Sequence, residues 1–160
     1  KRELQGIKAF EQAIATNALP QQTQEQMLFN VAQLYLAENM YDKGMAIRRK
    51  VLGDAHVDTQ LKNADDFNRP LQELVTEYCW GAVWGREGLP LKQRSMLNLA
   101  MISILNRPHE LKAHIKGALT NGVSKKEITE VFLQVAIYAG VPCAVDSFRI
   151  AREVFAQEKI

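Results

Sequence analysis

Apolar residues recur at three- and four-residue steps along almost the whole of this 160-residue chain, and few segments alternate with the period of two that a strand needs. A chain patterned this way can bury its apolar surface only by packing helix on helix, so the fold class predicted is all-α. Leu4, Ile7, Phe10, Ala13 and Ile14 give a first amphipathic helix, closed at Leu19-Pro20 because proline cannot continue a helix and restricts the residue before it. A second helix is predicted over about 21–38 and a third over about 41–51, stopping near Gly53. Asp65 or Asp66 is placed to cap a helix carrying Phe67, Leu71, Leu74, Val75 and Tyr78. Trp80, Gly81, Trp84 and Gly85 then read as a short helical turn with two aromatic anchors, followed by a loop through Gly88 to Pro90. Residues 91–105 are apolar on nearly every side, which predicts a central buried helix. Pro108 opens a helix that stops at Asn121-Gly122, and Ser124-Lys125-Lys126-Glu127 is a capping box starting the next. Gly140-Val141-Pro142 breaks that helix, and a last one runs to about Gln157.

Composition narrows the function. Apolar residues make up 47% and charged residues 24%, enough for a real core and too mixed in sign for a disordered chain. A net charge of +2 without a Lys/Arg block beside an aromatic platform argues against nucleic acid as partner and suits a small anionic ligand held by a few arginines. Cys79 and Cys143 form neither a Cys-x-x-Cys pair nor a zinc spacing, so no metal is expected and both thiols read as reduced. No apolar run is long enough to cross a bilayer, and no secretory core follows Lys1-Arg2-Glu3-Leu4, so a cytoplasmic protein is expected.

The polar exceptions carry the chemistry. Arg94 and Asn98 share one face of the apolar helix, with Ser95 beside them; a buried arginine must be paired or must face a polar cavity. Either it sits in an internal salt bridge or it serves a ligand. On the next helix Arg107, Glu110 and His114 share a face. Glu110 and His114 are either a surface pair or a unit in which the carboxylate sets the imidazole tautomer and raises its pKa for proton transfer. His56, read as lying in a loop after Gly53-Asp54, is either a cap or a catalytic residue, and His109 is expected to be solvated. Tyr138 needs a partner for its hydroxyl if buried; Trp80 and Trp84 are core anchors or ligand walls.

The stretches Arg48-Arg49-x-Val51-Leu52-Gly53-x-x-His56-Val57, Trp80-Gly81-x-x-Trp84 and Gly88-Leu89-Pro90-x-x-x-Arg94-Ser95 resemble the carboxymuconolactone decarboxylase family. So do Asn106-Arg107-x-x-Glu110-Leu111-Lys112-x-His114, Asn121-Gly122-Val123 and Ile137-Tyr138-x-Gly140-x-Pro142. The resemblance spans about 41–155. It implies an alkylhydroperoxidase D-like helical bundle, trimers or hexamers with subunit contacts near the active site, and a place in the β-ketoadipate branch of aromatic-compound catabolism. It also implies cofactor-free decarboxylation of a small anionic lactone, since electrons left by departing carbon dioxide can flow through the ring double bond to the lactone carbonyl. Arg94 is then expected to clamp a carboxylate or the developing oxyanion, and His114, oriented by Glu110, to donate the proton, with His56 as second candidate. Arg107, Ser95, Asn98, Trp80 and Tyr138 are expected to contact substrate. Peroxidase-like relatives in the superfamily carry Cys-x-x-Cys-x-x-x-His where this chain has Arg107-x-x-Glu110-x-x-x-His114, so a dithiol cycle has no thiols here. Residues 1–39 precede the resemblance and look like a tetratricopeptide-type hairpin, which divides the chain into a helical extension, 1–39, and a catalytic domain, 40–160, with Met40 where a natural start would fall. Two other functions compete: a relative acting on another small lactone or hydroxy acid, and a non-enzymatic helical adaptor. Polar groups pointing into a core disfavour the adaptor.

Overall fold

In a computed structural model that describes residues 2–16 and 20–160, the side chains of residues 2–6 and 38 excepted, the chain is helical, and no strand occurs among the described residues. Its helices are α1 (Arg2–Ala15), α2 (Gln21–Leu52), α3 (Asp54–Lys62), α4 (Arg69–Leu74), a π-helix (Val75–Trp84), α5 (Leu91–Ile104), α6 (Pro108–Thr120), α7 (Lys125–Ala139) and α8 (Val141–Gln157). Helices α5 to α8 pack around Leu99, Leu111, Ile115, Ala118, Ile128, Phe132, Ile150 and Val154. A second cluster, Val51 with Trp80 and Trp84, joins α2 to the π-helix.

Local signals read from the sequence are visible as contacts. Ser124 Oγ accepts the Glu127 N–H at 3.2 Å and a Glu127 carboxylate oxygen accepts the Ser124 N–H at 2.9 Å, completing the capping box that starts α7. Lys92 reaches the same carboxylate from α5 at 2.8 Å, and these partners hold Glu127 down at about 2. Asp65 accepts the N–H groups of Phe67 and Asn68 at 3.1 and 3.0 Å, a turn that leads into α4. Leu4 and Leu19, assigned to the apolar face and the end of the first helix, lie outside the described side chains or residues.

Three expectations are corrected. The helices predicted over 21–38 and 41–51 are one continuous α2, so no break in secondary structure falls at the 39/40 boundary. Helix α1 packs along α2, with Ile7 and Val31 buried and Tyr35 donating to Glu11 at 2.8 Å, so the expected hairpin forms from α1 and only the first half of α2. The segment after Gly53 is a helix, α3, and places His56 in its first turn. Helix α5 buries only the stripe Ser95, Leu99 and Ser103; Leu97, Met101 and Ile104 are exposed, because a helix apolar all round packs one face here and leaves the other uncovered.

The crossing of α2 with the π-helix sets the site. A Cβ at Gly44 would lie 1.9 Å from the Thr76 carbonyl oxygen, and one at Gly81 would lie 2.2 Å from that of Met40. Only glycine permits this backbone-to-backbone approach at both positions. One turn past Gly44, α2 presents Arg48 to Thr76.

Candidate active site

A cleft of about 320 Å³ opens between α2, α3 and α6. Arg48 and Leu52 line it from α2, His56 and Gln60 from α3, and His109, Glu110, Ala113 and His114 from α6. Its size is at the small end of ligand pockets, which run from roughly 300 to 1,000 Å³. A larger groove of about 410 Å³ between α5 and α7 is lined by apolar side chains with Gln93 and Gln134 and offers no titratable group, so it has no means to move a proton.

Arg48 is the dominant charge of the cleft. It is 5% exposed, donates from Nη1 to Thr76 Oγ1 at 3.0 Å and from Nη2 to Gln72 Oε1 at 2.8 Å, and its buried Nε finds no acceptor. No carboxylate pairs with it among the described residues, although its neighbour Arg49 holds both Asp54 and Asp58, at 3.1 and 2.6 Å. Burial pulls the Arg48 guanidinium below its ordinary value. A buried donor left unpaired costs about 1–3 kcal/mol, so this arrangement opposes stability and favours an incoming anion.

The two histidines share its field. His56 is lowered by burial first and then by the positive charges of Arg48 and Lys116. His114 is lowered mainly by burial; Glu110 pulls it upward and His56 downward, and burial wins. The expected elevation of His114 by Glu110 is therefore corrected: the carboxylate acts in that direction and is outweighed, because no hydrogen bond joins it to the half-buried imidazole. Trp84 lies against His114 with ring centroids 6.5 Å apart. Trp80 sits behind it, 4.7 Å from the Trp84 ring. The π-helix turns these two indoles so that Trp84, not Trp80, meets the histidine.

The other expected site residues lie elsewhere. Arg94 is half-buried, and its fork donates to the carbonyls of Leu89 and Arg86, both at 3.1 Å. It stands in the first turn of α5, where the preceding loop offers free carbonyls, and so fastens that loop instead of lining the cleft. Ser95 is buried and accepts from Asn121 at 2.9 Å, Asn98 is half-buried on the same helix, Arg107 is exposed at the start of α6, and Tyr138 is 84% exposed on α7. Of the residues singled out from the sequence, the structure brings together His56, Glu110 and His114. It adds Arg48, which lay inside a motif that carried the resemblance but was given no role. His109, expected to be solvated, is exposed and also lines the cleft. Both cysteines are free, their thiols raised chiefly by burial, and Cys143 donates to the Ser103 carbonyl at 2.9 Å.

The depressed histidines predict how stability follows pH. The unfolded chain takes up protons as pH falls below the ordinary imidazole value of about 6.5, while the folded chain resists them. Stability is therefore full above that value, declines below it, and levels off beneath the depressed folded values. Calorimetry should show a nearly constant Tm above about pH 7 and a decline from about 6.5 towards 5, a decline reduced in a His56→Gln, His114→Gln double variant. An equal decline in that variant would trace it to other groups.

An all-helical chain whose small cleft carries a buried arginine with no carboxylate partner among the described residues, together with histidines, one of them backed by a tryptophan, offers a cation to an anion and groups able to move a proton. Residues 69–153 match the carboxymuconolactone decarboxylase family. The chain is 39% identical to the 4-carboxymuconolactone decarboxylase of Acinetobacter baylyi over 118 residues, covering 74% of this chain and 88% of that protein. It is 42% identical to the nitrosuccinic acid decarboxylase of Metarhizium robertsii, over 74% of this chain and 82% of the relative. A 4-carboxymuconolactone decarboxylase of Pseudomonas putida is 54% identical over 41 residues, 26% of this chain and 85% of that sequence. The chain belongs to the carboxymuconolactone decarboxylase family.

Proposed function

We propose that the chain decarboxylates a small acid of the 4-carboxymuconolactone type without a cofactor, yielding the corresponding enol-lactone. The observation that carries this reading is the cleft itself: an uncompensated Arg48 beside two histidines held neutral, one flanked by Glu110. In such a lactone, the carbon–carboxylate bond breaks and its electron pair passes through the ring double bond to the carbonyl oxygen. The ring is thus its own electron sink. A proton then adds to the ring carbon next to that carbonyl. His114 is the proposed proton donor and His56 the alternative. Both are neutral at rest, and an arriving anion favours the protonated imidazole, so the acid forms only when substrate is present.

The likeness to a nitrosuccinic acid decarboxylase favours a second substrate of the same logic. Nitrosuccinic acid bears a nitro group on a carbon that also carries a carboxylate, and nitro is an electron sink too. Carboxymuconolactone carries a carboxylate and a carboxymethyl arm on one ring carbon. Both compounds therefore contain a succinate skeleton with the sink attached at one carboxylated carbon.

The exposed apolar side chains Leu97, Met101 and Ile104 on α5, with Leu133 and Ile137 on α7, support assembly into a homo-oligomer, as trimer or hexamer. No helix among the described residues is long and apolar enough to cross a membrane. The free thiols support a reducing, cytoplasmic setting, and aromatic-compound catabolism is the corresponding role. The test is direct. Purified protein with chelator and no added cofactor should release carbon dioxide from 4-carboxymuconolactone or from nitrosuccinate. Turnover of neither, or robust peroxide reduction in its place, would overturn the reading.

A further inference from the structure

We infer that Arg48 is the anchor for the carboxylate the substrate keeps, so that the cleft selects a dianion with a succinate skeleton. The inference rests on the proposed reaction and names what that site reads. Three observations carry it. Arg48 is buried and lines the cleft, yet among the described residues no carboxylate pairs with it. Two neutral side chains, Thr76 and Gln72, take one donor from each Nη and fix the plane of the guanidinium, leaving a second proton on each. Glu110 lines the same cleft from α6, a different helix from the α2 that carries Arg48, so the cleft offers a cationic group and a carboxylate on separate walls.

The chemistry decides which carboxylate goes where. The departing carboxylate loses its charge as carbon dioxide forms. An arginine bound to it would stabilise the ground state more than the transition state and slow the reaction. The retained carboxylate keeps its charge throughout. Pairing it with Arg48 costs nothing during the reaction and uses a contact remote from the breaking bond to orient the molecule. Thus the carboxymethyl arm meets the guanidinium, which suits it because a planar fork matches a carboxylate. The departing group points away, towards Ala113, Glu110 and His114.

The test uses succinate and its monomethyl ester as unreactive probes, read by the fluorescence of Trp84 beside His114 and by a rise in Tm. Wild-type protein should bind succinate at least about tenfold more tightly than the monoester, and Arg48→Gln should remove that preference. Wild-type protein that does not distinguish the two overturns the inference, as does an unchanged preference in folded Arg48→Gln. Should Arg48→Gln fail to fold, Thr76→Val frees one end of the fork and should weaken succinate more than the monoester; equal weakening overturns the inference. A kinetic arm separates an anchor from an oxyanion donor. With the lactone and its carboxymethyl ester, an anchor makes Arg48→Gln collapse the roughly 10²-fold wild-type preference for the diacid. An oxyanion donor would lower kcat equally for both, and that result overturns the inference. The binding and kinetic arms fail independently. Succinate discrimination without lactone turnover leaves the anchor and removes the reaction; turnover without discrimination does the reverse.

Discussion

His114→Gln lowers turnover by roughly 10²–10⁴-fold, the loss typical of a removed acid or base, while the protein remains folded. His114 is half-buried, lies against Trp84 and lines the cleft beside Glu110, and no hydrogen bond ties it to another side chain. Glutamine fills much of the same space and cannot carry a titrating proton, so folding should change little. A purely structural imidazole behaves differently: its replacement would lower Tm, and rate would fall only with the folded fraction. The comparison therefore needs the steady-state rate and the melting curve of the same sample. Wild-type turnover in folded His114→Gln protein would remove His114 from the mechanism and leave His56, in the first turn of α3, as donor.

Glu110 refines this result. It pulls His114 upward against burial, so Glu110→Gln should move the alkaline limb of the pH–rate profile, where the protonated donor is lost, to lower pH. The substrate's own charge acts in the same direction as Glu110. A dianion in the cleft raises the imidazole pKa, and the acid is generated by binding.

The sequence made the helices legible because caps and breaks are local. The Ser124 box, the Asn121-Gly122 stop and the spacing of Glu110 and His114 each depend on neighbours within a few residues. Arg48 was not legible for the opposite reason. Next to Arg49 on one helix, nothing local distinguishes the arginine that pairs with two aspartates from the one that is buried without any. Thr76 and Gln72, 28 and 24 residues away, make that distinction. The same limit misplaced Arg94, whose apolar neighbours suggest burial while the loop carbonyls that satisfy it lie outside the helical period. The π-helix adds a residue per turn that three-and-four spacing does not register. Hence Trp80 was expected at the ligand, whereas it is Trp84 that packs against His114.

That π-helix rests on a contact whose removal should have a large effect on stability. Gly44→Ala is expected to destabilise the fold by about 3 kcal/mol, at the upper end for an overpacked site. The clash is with backbone: the new methyl would sit 1.9 Å from the Thr76 carbonyl oxygen and 2.8 Å from the Gly81 nitrogen. No rotamer change relieves it, so α2 and the π-helix must separate. For a chain of this size the shift in Tm is roughly 6–12 °C. Gly88→Ala is the control, since nothing lies within 4 Å of a Cβ there, and it should melt like the wild type. Separation at Gly44 should also draw Thr76 away from Arg48, loosening the guanidinium one turn further along α2. Residual folded Gly44→Ala protein should therefore bind succinate more weakly, with the preference over the monoester reduced. If Gly44→Ala instead melts with wild type and Gly88→Ala does not, the backbone contact between α2 and the π-helix is not what holds the cleft together.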